Sequence, residues 1–176
     1  MSKDNKVNPK SSSQNKVKTT SNKSTLPQQS GGNEVDANYL KAFYPKPSKG
    51  MKWVYAMTIN IQGMTLQGEM TMEVVDIVGE EVKIKISVGT QSHEEKVHKD
   101  AFAPIPNASG KKDSTGYFYE SQENLNLPFK SLETVKLSTI NNNERTFLWL
   151  SQGLGPVKFG ISHGGIPANL ELKAFS

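Results

Sequence analysis

Cysteine is absent from this 176-residue chain, which excludes disulfide staples, CxxC zinc sites and thiol nucleophiles and leaves core packing to stabilise any fold. Aromatic residues are few, 8% of the chain with two tryptophans. Apolar runs are short, and none approaches the ~20 residues of a membrane-spanning helix. A sustained 3.6-residue apolar period is missing as well, so helix is expected to be scarce. The body also lacks the basic excess that the formal net charge of +4 suggests. Residues 1–33 hold six lysines and one acid, which leaves fifteen bases against sixteen acids in the remaining 143 residues. A body this close to neutral does not read as a basic nucleic-acid-binding domain.

Residues 1–33 are built mainly from Ser, Asn, Lys, Thr, Gln and Gly, with Val7, Val17 and Leu26 as their large aliphatic residues. So little apolar surface does not offset the ~1–2 kcal/mol per residue that ordering a backbone costs. This segment is therefore expected to be a disordered tail or tether, and residues 34–176 one antiparallel β domain. The tail has neither Arg nor an aromatic ring, so it lacks the bidentate and stacking contacts of nucleic-acid arms and reads as a hydrated spacer. Its start shows no apolar signal core. Two locations follow: cytoplasmic, or extracytoplasmic with an export segment lying upstream of the residues shown.

From Met51 the pattern has period two. Met51, Trp53, Tyr55, Met57, Ile59 and Ile61 share one face, a strand signature with one side buried. Gln62-Gly63 supplies a turn, and Met64, Leu66, Met70, Met72 and Val74 resume the alternation. At Val74-Val75 the phase slips by one, the mark of a β-bulge. After Gly79-Glu80, Val82, Ile84, Ile86 and Val88 alternate with Glu81, Lys83, Lys85 and Ser87. SHEEKVHKDAF fits an exposed strand or a helical turn, and PIPNASGKKDSTG a loop. Shorter strands are expected at 117–119, 135–139, 146–150, 157–161 and 170–175. About eight strands at hairpin spacing predict an all-β fold, an antiparallel meander forming a strongly curved sheet or a half-closed or closed barrel.

The strings YPKPSKGMKWVY (44–55) and WLSQGLGPVKFG (149–160) bracket the body. Together they resemble a loose family of bacterial secreted and lipid-anchored β-proteins, which have a YP, Gly, Trp, Tyr opening and a Trp, Gly-Val-Gly, Val-Lys element near the C-terminus. Lys46 stands where the opening usually has Leu, and Leu154 replaces the usual Val. The resemblance implies an all-β fold and an extracytoplasmic location, and carries over no catalytic residue. Gly153 and Gly155, flanking Leu154, are read as a structural turn where positive φ or close backbone approach selects glycine. A phosphate cradle would need a helix after them, whereas PVKFGIS reads as strand.

Motifs that suggest chemistry fail on spacing. His93 and His98 in HEEKVH are five apart, not the four that align two zinc ligands on a helix, and an odd spacing puts them on opposite faces of a strand. Ser162-His163 in GISHGG lacks a nucleophile elbow elsewhere in the chain. Glu69, Glu73, Glu81, Glu94, Glu95, Glu120 and Glu123 are scattered over strands and loops and read as surface charge. Asn107-Ala108-Ser109 matches a short glycosylation sequon.

No catalytic residue, cofactor or metal site is therefore assigned. The chain reads as a non-enzymatic extracytoplasmic module on a flexible tether, structural or interacting with an envelope protein. It would have no nucleic-acid partner and would meet a membrane only through an upstream lipid anchor. The alternative is a carrier holding a small apolar ligand inside the curved sheet, suggested by the soft methionines of the first strands. Trp53, Tyr55, Met57, Met70, Met72 and Trp149 are the residues expected to form either its pocket or the core.

Overall fold

The computed structural model describes Leu26 and residues 32–105, 116–141, 144–163 and 166–176. The alternating segments become one ten-stranded antiparallel sheet. In chain order the elements are β1 (Glu34–Val35), α1 (Ala37–Lys41), β2 (Lys52–Ile61), β3 (Met64–Val78), β4 (Glu81–Val88), β5 (Gln91–His98), a 3-10 turn (Lys99–Ala101), β6 (Tyr117–Leu127), β7 (Lys130–Asn141), β8 (Glu144–Ser151), β9 (Gly155–His163) and β10 (Ile166–Phe175). The sheet order is β1-β6-β7-β8-β9-β10-β2-β3-β4-β5. Two hairpin meanders, β2 to β5 and β6 to β10, are thus joined by β10 pairing with β2.

The period-two readings place the strands well, and the phase slip at Val74-Val75 is a register shift between Val74 and Asp76 in the β3–β4 ladder. Tyr117, expected to open a three-residue strand, opens an eleven-residue one. A second bulge, between Tyr119 and Ser121, shifts its facing midway and hides the simple alternation. SHEEKVHKDAF resolves into β5 followed by the 3-10 turn. The five-residue α1 begins at Asp36, whose carboxylate accepts from the Tyr39 amide at 2.8 Å as an N-cap.

Of residues 1–33, Leu26, Gly32 and Asn33 lie among those described. Leu26 is buried in the core. The Gly32 amide donates to Tyr119 O at 2.8 Å, and the Tyr119 amide to Asn33 O at 2.9 Å. Contacts of the domain therefore begin ahead of Glu34.

The sheet is open, not a closed barrel, with β1 and β5 as its edges. β1 is only two residues long. β5 (QSHEEKVH) carries charge on both faces, and its Lys96 pairs with Glu81 of β4 at 3.1 Å. A very short edge and a charged one both discourage further strand pairing. The sheet curls strongly even so, since β6 and β10, four strands apart in the order, approach within 8 Å at Cα.

The inner face of the curl is the core. Trp53, Tyr55, Met70, Met72, Val74, Ile84 and Ile86 from one half meet Val135, Leu137, Leu148, Leu150, Val157, Phe159, Leu170 and Leu172 from the other. Trp53 pairs with Met72 on one side and Phe175 on the other, and its indole Nε1 crosses the interior to donate to Leu154 O at 2.6 Å. Trp53 is fully buried, whereas Lys52 beside it is only half-buried. Trp53→Ala is expected to destabilise by ~3–5 kcal/mol and Lys52→Ala by no more than ~0.5 kcal/mol, measured by denaturant unfolding. Equal losses at the two positions would mean that Trp53 does not face the core.

Candidate binding surface on the inner face

The inner face has two ends of different character. At the end where β2 begins, the chain before and after the strands covers it. Phe43 and Phe102 are buried there. The Tyr44 hydroxyl donates to Pro104 O at 2.6 Å, and the Tyr44 and Phe102 rings meet edge to face with centroids 6.1 Å apart. The Tyr55 hydroxyl donates to Pro156 O at 2.9 Å, and its ring meets Phe159 at 5.2 Å. Burial pushes both tyrosine hydroxyls well above their usual pKa, with smaller contributions from Tyr55 and Tyr117 at Tyr44. They are hydrogen-bonded anchors, held neutral.

Gly153 and Gly155 lie at this same end, at φ 74 and φ 72. The Gly155 amide donates to Phe43 O at 3.0 Å. A Cβ there would stand 2.8 Å from Tyr44 Cε1, whereas one on Gly153 would meet open space. The two glycines therefore differ: Gly155 makes room for a ring, and Gly153 serves only the backbone turn.

At the other end the β2–β3 hairpin overhangs its neighbours. β4 pairs with β3 only from Met70 onward, and β10 pairs with β2 only as far as Ile59. Among the described residues, the stretch of β3 from Met64 to Glu69 therefore has no strand on its β4 side. The same overhang carries apolar side chains. Ile59 pairs with Leu66, and Ile61 with Met64. Leu66 is 50% exposed and Met64 62%. On β10, Ile166 lies on the same alternating face as buried Ala168, Leu170 and Leu172, and is 39% exposed. Met57 leans over Gly68, where an added Cβ would stand 2.9 Å from Met57 Cε, and is half-buried.

Of the six residues expected to form a pocket or core, Trp53, Tyr55, Met70 and Met72 are together in the filled end, and Met57 marks the transition to the exposed end. Trp149 is not among them, although it is half-buried and packs against the margin of the core. It alternates with inward-facing Leu148 and Leu150 and so lies on the outer face, where it pairs with Lys136 and Lys158. The Lys136 ammonium lies 4.4 Å from the Phe147 centroid and 5.1 Å from that of Trp149, and Lys158 approaches Trp149 from the other side at 5.5 Å. The indole N–H of Trp149 reaches over β7 to the Glu123 carboxylate on β6. Glu120 accepts from the Ser138 hydroxyl at 2.5 Å and pairs with Arg145. The Ser138 hydrogen bond first, then Arg145, holds its carboxyl below the usual range.

β5 carries His93 on the inner face opposite Ile86, and His98 at its exposed end opposite Glu81. His98 Nδ1 accepts from the Asp100 amide at 3.2 Å. Glu69 pairs with Lys173 at 3.2 Å, and Glu81 with Lys96. Glu73 lies opposite Lys52, while Glu94 and Glu95 lie opposite Lys85 and Ile84. The strands do not gather these carboxylates at one place. Among the described residues no cluster of His, Asp and Glu could hold a metal ion. The sequon at 107–109 lies outside the described residues, as do the side chains of Ser162 and His163.

No family model and no curated protein matches the chain. Solved structures do. A candidate lipoprotein from Parabacteroides distasonis is 12% identical, with 85% of this chain and 100% of that one covered and a TM-score of 0.46. A candidate exported protein with a YmcC-like fold from Bacteroides fragilis is 10% identical, with 77% and 99% covered and a TM-score of 0.46. A candidate outer-membrane lipoprotein-sorting domain from Vibrio parahaemolyticus is 7% identical, with 80% and 89% covered and a TM-score of 0.32. At these scores the likeness assigns this chain neither a ligand nor a compartment.

The neutral tyrosines make stability depend on alkaline pH. Their folded pKa values lie above the unfolded value of 10.0, so their contribution is complete below pH 10 and is lost as pH rises beyond it. Each adds a slope of ~1.4 kcal/mol per pH unit there. Tyr55→Phe is expected to cost ~1 kcal/mol at pH 8 through its lost hydrogen bond, and to unfold with a shallower pH dependence between pH 10 and 11 than the parent chain. Denaturant midpoints across that interval measure both effects, and parallel profiles would exclude a buried neutral Tyr55.

Proposed function

We propose that the chain is a non-enzymatic, extracytoplasmic interaction module of a bacterial envelope, and that it works through the overhanging β2–β3 hairpin. The observation that carries this reading is the coincidence of exposed apolar side chains with an unpaired strand edge over residues 64–69. The other free edges are blunted by shortness or charge, as at β1 and β5, while Met64 and Leu66 lie on an edge that can still accept main-chain hydrogen bonds. That combination suits a partner that adds an extended segment to the sheet, with the backbone giving affinity and alternate side chains giving specificity. The extracytoplasmic location is supported by the YPKPSKGMKWVY and WLSQGLGPVKFG strings, and the residues ahead of the buried Leu26 would by their composition be the tether.

The carrier alternative has less to stand on. An enclosed apolar ligand needs room inside the curl, and Trp53, Tyr55, Met70 and Met72 fill the inner face at the end where they meet. A ligand would be confined to the lip around Met57, Ile59 and Leu66.

A photoreactive residue at position 66, expressed in the source bacterium, is expected to form a discrete protein adduct in the envelope fraction. The same residue at Phe129, an exposed position on the β6–β7 turn, should form none. Adducts to lipid alone would favour the carrier, and recovery of the product in the cytosol would overturn the location.

A further inference from the structure

Roughly 30 Å from the lip, by the rise of ten residues in β2, the filled end of the sheet has a pocket of its own. It is a cavity of about 370 Å³ in the seam between the chain leaving α1 and the chain leaving β5, at the low end of the ~300–1,000 Å³ usual for small-molecule sites. Its apolar lining is Tyr44, Pro45, Pro47 and Phe102; Tyr44 and Phe102 are themselves buried, so the half-buried prolines present most of the apolar surface. Three lysines complete the lining, Lys41 from the last residue of α1, Lys46 between the prolines, and Lys99 from the 3-10 turn, and among the described residues no acid lines it.

The charges nearby bear on the three lysines unequally. Lys49 is paired with Asp76 at 3.2 Å, and Asp100 faces His98 at 3.8 Å. Glu80 forms a long ion pair with Lys99 at 4.0 Å. Among the described residues Lys41 and Lys46 have no carboxylate in ion-pair range. The walls are also held rigidly, because the Tyr44 hydroxyl is bound to Pro104 O, Phe102 is buried, and both proline φ angles are fixed by their rings. A preformed slot costs little ordering on binding, and the three lysines of its lining select the sign of what enters.

We propose that this pocket binds an amphiphilic anion, a carboxylate or phosphate held among Lys41, Lys46 and Lys99 with its short apolar chain against Pro45 and Pro47, beside the buried Tyr44 and Phe102. The site is independent of the hairpin lip and does not depend on how the lip is used.

Titration of the full chain with octanoate, octyl phosphate, octanol, octyltrimethylammonium and inorganic phosphate, followed by backbone amide NMR, tests it. The two octyl anions should bind with shifts centred on residues 41–47 and 99–102. Octanol and inorganic phosphate should bind about tenfold more weakly or worse, and the cation not at all. Lys41→Gln with Lys46→Gln, both exposed and expected to leave the unfolding midpoint unchanged, should weaken octanoate about tenfold. Relative affinity of the two octyl anions separates carboxylate from phosphate as the natural headgroup. Octanol binding as well as octanoate, inorganic phosphate binding as well as octyl phosphate, unchanged affinity in the double variant, shifts centred on Met64 and Leu66, or no binding at all would each overturn the proposal.

Discussion

The hydrogen bond from the Trp53 indole to the Leu154 carbonyl is the tie on which the rest of the architecture turns. It joins the first long strand to the β8–β9 turn across the interior of a single curled sheet, so the two halves of the sheet are tied by one side chain. Everything near it serves that bond. Gly155 lacks a side chain, so the Tyr44 ring lies against the turn. Tyr55 repeats the motif one step along the same face with Pro156. Phe175 closes over Trp53 at a ring distance of 5.2 Å. A buried indole N–H left without an acceptor costs more than the bond itself contributes, which makes the closed arrangement the one that satisfies the donor.

The outer face is held together differently. Its strands carry Lys136, Trp149, Lys158 and Glu171 side by side in register across four strands, and Lys158 pairs with Glu171 at 2.7 Å. Cations over aromatic faces and cross-strand ion pairs contribute modestly where water has access. They do so without presenting an apolar surface, and the Trp149 ring, clasped by two ammonium groups and tied to Glu123, is stabilised without burial in the core. A large aromatic residue is therefore not by itself a marker of the interior in this protein.

Both proposed sites are places where the general solution stops. At the hairpin, β2 and β3 run on after their neighbours have ended, and the apolar alternation continues into solvent. At the opposite end, the seam between α1 and the 3-10 turn leaves a slot lined by three lysines, two of which have no carboxylate in ion-pair range among the described residues. The first has main-chain groups and apolar side chains to offer, the second cationic charge and a small apolar surface of prolines. They suit different ligands and lie at opposite ends of β2.

The sequence by itself determined the fold class. Period-two alternation from Met51 to Val88, the turn residues at Gln62-Gly63 and Gly79-Glu80, and the slip at Val74-Val75 were legible because each is a local rule: a side chain alternates, a glycine turns, an extra residue bulges. Less was legible beyond residue 116, where bulges at Tyr119–Ser121 and in the β8–β9 ladder break the alternation. Only tertiary structure decided which face of each strand is inner. Trp149 and Trp53 both alternate with neighbours of the opposite facing, and the pairing of β10 with β2, between residues more than a hundred positions apart, places one inside and the other outside. Neither site could be read along the chain. The lip exists because strands of unequal length are set side by side, and the lysine pocket because residues 41–47 and 99–102, separated by the whole first meander, come together where α1 meets the 3-10 turn. Contacts at that separation depend on register and curvature, which no local pattern encodes.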